Sequence, residues 1–142
     1  MKSIWLALAA LPLLAACGGP DEEEGQTLFA NCVTVMSDPE LTVELSQADT
    51  SPDAACTCLQ ARVGDDGDER EAVALFFSDL AGAMAESDEG AEDLAGRLAA
   101  RSVLPREDSD EPTFADTLPV FNNVFETLIR DIDANEGACP DV

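Results

Sequence analysis

The sequence predicts an all-α fold, a small disulfide-braced bundle of four to five helices after a signal peptide and an acidic tether. Three observations carry this expectation. Apolar residues recur at three- and four-residue spacing in successive stretches separated by short breaks. Gly, Pro and capping residues stand at those breaks, where helices start and stop. Four cysteines, Cys32, Cys56, Cys58 and Cys139, are spread along the apolar stretches and the tail, as bridges between helices require.

Taken in order, Gly18 to Gly25 is a glycine- and acid-rich segment whose like charges repel, the composition of a flexible tether. Leu28, Phe29, Cys32, Val33 and Met36 then define a first amphipathic helix, which stops near Ser37-Asp38-Pro39. Glu40 to Gln47 alternates through Leu41, Val43 and Leu45 as a strand would. Lacking a partner strand, it is expected to be a loop or a distorted helical turn. Ser51-Pro52-Asp53 supplies a cap, a proline at the first helical position and an acid in the first turn. The helix it opens carries Ala55, Cys56, Leu59 and Val63 and breaks at Gly64.

Asp68 with Glu71 has the spacing of a capping box and opens a helix with Val73, Phe76, Phe77, Leu80 and Met84 on one face. Ser87-Asp88-Glu89 starts the next, carrying Leu94, Leu98 and Val103 inward until Pro105. The last helix has the cleanest apolar stripe, Leu118, Phe121, Val124, Phe125, Leu128, Ile129 and Ile132, and ends at Asn135-Glu136-Gly137. Short loops and one stripe per helix make a bundle.

Composition bounds function more sharply than motif does. The 142 residues hold thirty acids and seven basic residues, no His and no Tyr. A chain with a formal charge of −23 repels nucleic acid, and that class of partner is excluded. Without His, Ser-His-Asp, Cys-His and His-metal chemistry are unavailable. Much of the acidity has a structural use. Asp65/Asp66/Asp68/Glu69, Asp88/Glu89/Glu92/Asp93 and Asp108/Asp110/Glu111 fall before or in first turns, while Arg62, Arg97, Arg101 and Arg130 fall toward helix ends. Both placements complement the helix macrodipole.

The N-terminal stretch carries the most specific signal. Met1-Lys2 is a minimal positive region, and Ile4 to Leu14 is an apolar run too short to span a bilayer. Leu14-Ala15-Ala16-Cys17 follows directly and resembles the lipobox of bacterial lipoproteins. That resemblance implies lipid transfer to the Cys17 thiol, cleavage before Cys17 and acylation, typically as palmitate, of the new amino group. Residues 1–16 would then be a removed signal peptide, 17–27 a lipidated cysteine with its tether, and 28–142 one helical domain. The chain would be anchored in the cell envelope by several acyl chains, which together hold firmly where one alone is marginal. Gly18 rather than Asp after the cysteine favours the outer over the inner membrane in the enterobacterial pattern. The mature chain would keep six Arg against the thirty acids, a side-chain charge of −24.

Excluding Cys17 leaves an even set of cysteines, which in an exported chain reads as two disulfides. Cys56 and Cys58 lie two apart on a helix and point roughly 200° away from each other, so each is expected to reach a different partner. Cys32–Cys56 with Cys58–Cys139 is the preferred connectivity, and the swapped assignment is the close alternative. The sharper reading, that Cys56-Thr57-Cys58 is a redox pair, lacks support from its surroundings. Asp53 stands just before it, and no Lys or His is near to hold a thiolate. A four-cysteine zinc site lacks the usual paired ligand spacing. Gly64 to Glu69 is acidic but has neither the alternation nor the closing Glu of a calcium loop. A helical cysteine followed about two dozen residues later by C-x-C, here Cys32, Cys56 and Cys58, also resembles small exported proteins of alphaproteobacteria. This similarity brings no activity with it.

The expectation is therefore an envelope-anchored lipoprotein, not an enzyme, with no cofactor and no metal ligand. Its head is expected to be a non-catalytic interaction or envelope-organising module, with a basic protein or cations as the partner besides the membrane. Thiol-disulfide exchange through Cys56 and Cys58 is the first alternative. A cation- or small-ligand-binding carrier is the second.

Overall fold

The computed structural model describes residues 20–64, 67–102 and 112–139, with side chains from Glu24 onward. Residues 1–16, expected to be a signal peptide, and Cys17 lie outside the described residues, as do Asp65, Asp66, Val103, Pro105 and the Asp108/Asp110/Glu111 cluster. Among the described residues every regular element is helical: α1 Pro20–Met36, α2 Pro39–Gln47, α3 Pro52–Val63, α4 Asp68–Ala85, α5 Ala91–Ser102 and α6 Phe114–Ala134. The all-α bundle is as expected, with six helices rather than four or five.

Two of the differences from expectation lie in α1 and α2. The segment 20–27, read as tether, is the first part of α1. Proline is favoured at the first helical position, and acids such as those at 21–24 are favoured at a helix N-terminus, so a composition that reads as a tether also suits a helix start. Tertiary contact then fixes the segment, because Gln60 of α3 donates from Nε2 to the Gly25 carbonyl at 2.5 Å. Glu40 to Gln47 is helical and not a loop. Asp38, just past the end of α1, caps α2 by accepting the Glu40 N–H on Oδ1 at 3.0 Å, with Pro39 in the first turn.

Caps elsewhere follow the sequence in part. Ser51 accepts the Ala54 N–H at 3.3 Å, and α3 ends at Gly64, whose φ of 70° is the left-handed region glycine favours. The N-cap of α4 is Gly67, so Asp68 opens the helix instead of capping it, and Asp68, Glu69 and Glu71 line its first turn. Ser87 is not the start of α5. Its hydroxyl accepts the Glu89 N–H at 3.1 Å in a local turn, and the helix begins at Ala91. Nor does every Arg lie at a helix end: Arg97 is mid-helix and pairs with Glu89 at 2.5 Å.

α6 starts earlier than its apolar stripe indicated. Asp116 reaches back to the start of the helix, where Oδ2 accepts the Thr113 N–H at 2.8 Å and the Thr113 hydroxyl at 2.7 Å. These bonds, the backbone one first, hold the Asp116 carboxyl below its usual range. Their contribution is therefore full above the unfolded-state pKa and is lost as pH falls through the lower folded value. At the other end Gly137, with φ 86°, donates to the Ile132 carbonyl at 3.0 Å, and a Cβ there would run into the Asp49 carbonyl. Only glycine closes α6 against the α2–α3 turn in this way.

The core lies where α1, α3, α4 and α6 meet. Leu28, Cys32, Val35 and Met36 of α1 face Ala55, Cys56, Leu59 and Val63 of α3, with Val73, Phe76, Phe77 and Leu80 of α4 and Val124, Leu128 and Ile132 of α6 completing it. Phe76 stacks on Phe121 with ring centroids 3.8 Å apart, and Phe77 meets Phe121 edge-on at 5.3 Å. Phe114, buried but not part of the expected stripe, stacks on Phe76 at 5.1 Å. A buried Phe of this kind is worth about 1.5–3 kcal/mol.

Candidate functional site

The cysteines resolve into the preferred connectivity. Cys32 of α1 bonds Cys56 of α3 with Cα atoms 5.8 Å apart, and Cys58 of α3 bonds Cys139 of the tail with Cα atoms 5.2 Å apart. The helical offset between Cys56 and Cys58 produces this result. One sulfur faces α1 while the other faces the chain end that Gly137 turns back. Cys56 is 0% exposed and Cys58 is buried, whereas Cys139 is exposed. Cys56 and Cys58 therefore do not share a bridge.

The chemistry-bearing residue that sequence reading passed over is Asp38. Only 5% exposed, its carboxylate spans two helix starts: Oδ1 takes the Glu40 N–H of α2 and Oδ2 takes the Ala91 N–H of α5 at 3.0 Å. Both are otherwise orphan donors at positive helix ends, where a carboxylate is the best acceptor available. The first half of this arrangement was visible as Asp-Pro before a helix. The second half joins residues 53 apart in sequence, and no local signal marks it.

A second polar contact crosses the bundle. Arg62 Nη1 of α3 meets Asp131 Oδ2 of α6 at 3.2 Å, and Arg130 Nε approaches Asp131 Oδ1 at 3.7 Å. Of the two pairs, Arg62–Asp131 joins α3 to α6 while Arg130–Asp131 lies within α6, and side chains exposed to this degree contribute little stability.

Two concavities lie on the described surface. A groove of about 240 Å³ between the end of α4 and α5 is lined by Ala83, Glu86, Leu94, Arg97, Leu98 and Arg101. An open shelf of about 400 Å³ lies beside α1, at Gly25, Gln26, Phe29 and Gln60. The first falls below the usual range for small-molecule sites, and the second does not enclose a ligand. Among the described residues no three His, Cys, Asp or Glu side chains are grouped to hold a metal ion, and no helix is long and apolar enough to cross a membrane.

Comparison of the chain with protein-family models, with curated proteins and with solved structures gives no match.

Proposed function

We propose that this protein is an exported lipoprotein whose helical head is a non-catalytic interaction or envelope-organising module, held at the membrane by lipid on Cys17. The observation that supports this best is cysteine accounting. Cys32, Cys56, Cys58 and Cys139 are consumed in two bridges, which leaves Cys17 as the odd thiol, where the lipobox resemblance requires one. Two disulfides also suit an oxidising compartment outside the cytosol. The acidic surface favours a basic protein or cations as the partner and disfavours nucleic acid. Thiol exchange through Cys56 and Cys58 has less support, since each sulfur is buried in a separate bridge.

Metabolic labelling with an alkyne analogue of palmitate, in a bacterium expressing the full chain, tests the proposal. The wild type should take up label and sediment with membranes, and Cys17→Ser should lose both properties. Density-gradient separation then distinguishes outer from inner membrane, with the outer expected from Gly18. An unlabelled protein released to the periplasm would contradict the proposal.

A further inference from the structure

We infer that the helical head stands directly against the bilayer, with the end formed by the start of α1, the end of α3 and the first turn of α4 facing the headgroups. The inference rests on lipidation of Cys17. Its own basis is where α1 begins. The lipidated Cys17 stands only three positions before Pro20, which is already helical. No conformation of three residues spans more than about 10 Å. A tether extending to residue 27 would instead have let the head stand well clear of the membrane.

The fold determines which surface that short link brings to the lipid. Gln60 bonds to the Gly25 carbonyl, and Arg70 Nη1 donates to the Gly64 carbonyl at 2.6 Å. The end of α3 and the start of α4 are thereby packed beside the first turns of α1. As α1 advances from Gly25 to Cys32, its partners on α3 step back from Gln60 to Cys56, so the two helices are antiparallel. α1 has 17 residues and is about 25 Å long, which places its far end, with Asp38, α2 and the start of α5, away from the link. Val43, 59% exposed on α2, belongs to that far end.

The near end carries exposed Glu24, Asp68, Glu69 and Glu71. Like charge gives it no attraction for anionic headgroups, so the short link and not surface affinity holds it there.

The mature chain has no tryptophan, because Trp5 lies in the signal peptide, so one introduced indole reports position cleanly. The lipidated full-length protein would be reconstituted in phosphatidylcholine vesicles containing dansyl-phosphatidylethanolamine, with Glu69→Trp and Val43→Trp as separate variants. Energy transfer to the dansyl headgroup should be several-fold greater from E69W than from V43W. Inserting a long Gly/Ser stretch between Gly19 and Pro20 should abolish the difference. Equal or reversed transfer in vesicle-bound protein, or an insertion without effect on E69W, would overturn the inference and leave lipidation standing. Protein that fails to associate with vesicles at all would remove the lipid anchor on which the inference depends.

Discussion

One buried carboxylate, that of Asp38, joins the starts of two helices. A carboxylate taken out of water is costly unless its oxygens are satisfied, and here each oxygen accepts a backbone N–H from a different helix start. Removing it leaves the Ala91 and Glu40 donors without their acceptor at once. Asp38→Ala should therefore cost about 1–3 kcal/mol, at or above the usual loss of one N-cap. The measurement is the midpoint of urea unfolding, followed by circular dichroism. Asp38→Asn keeps one carbonyl acceptor and should fall between the variant and the wild type. A change below about 0.5 kcal/mol for D38A would show that water replaces the carboxylate at no net cost.

At the scale of elements, the two bridges perform different tasks. Cys32–Cys56 joins α1 to α3 inside the core, with a sequence separation of 24. Cys58–Cys139 ties the tail to α3 across a separation of 81. By loop-closure entropy these correspond to roughly 3.5 and 4.5 kcal/mol of stabilisation through the unfolded chain. Longer loop and easier reduction coincide here, because a reductant needs access to a sulfur and Cys139 is exposed while Cys32 and Cys56 are 0% exposed. Titration with glutathione, trapped by alkylation and read by mass spectrometry, should open Cys58–Cys139 first. Cys32–Cys56 should persist until the helices separate. The reverse order would mean that the core around α1 and α3 opens more readily than the tail.

For the whole molecule, net charge decides the response to salt. Pairs such as Arg62–Asp131 and Arg97–Glu89 are part-exposed or exposed, and each contributes at most about 1 kcal/mol. Against them stands repulsion among thirty acids opposed by few arginines. Screening weakens both, but repulsion has far more pairs. The melting temperature of the head should therefore rise as sodium chloride is raised from low ionic strength to the physiological range. A fall would mean that the attractive pairs outweigh the repulsion.

Features that repeat locally along the chain can be read without knowing how the helices pack. The stripes Val73, Phe76, Phe77, Leu80 and Val124, Leu128, Ile132 were legible because helical spacing alone places them on one face. The Ser51 cap and the stop at Gly64 were legible because one residue and its own backbone suffice to make them. An offset of two on a helix was enough to send Cys56 and Cys58 to different partners. Which partner each took was decided by the antiparallel packing of α3 on α1 and by the Gly137 turn that returns the tail. Tertiary structure likewise decided that residues 20–27 are helix, since the bond from Gln60 comes from 35 positions away. It also delayed α5 to Ala91, because the Asp38 carboxylate that caps α2 locally meets the Ala91 N–H from 53 positions away. Such contacts join residues that the chain keeps far apart, and no local pattern encodes which of many possible acceptors a helix end will meet.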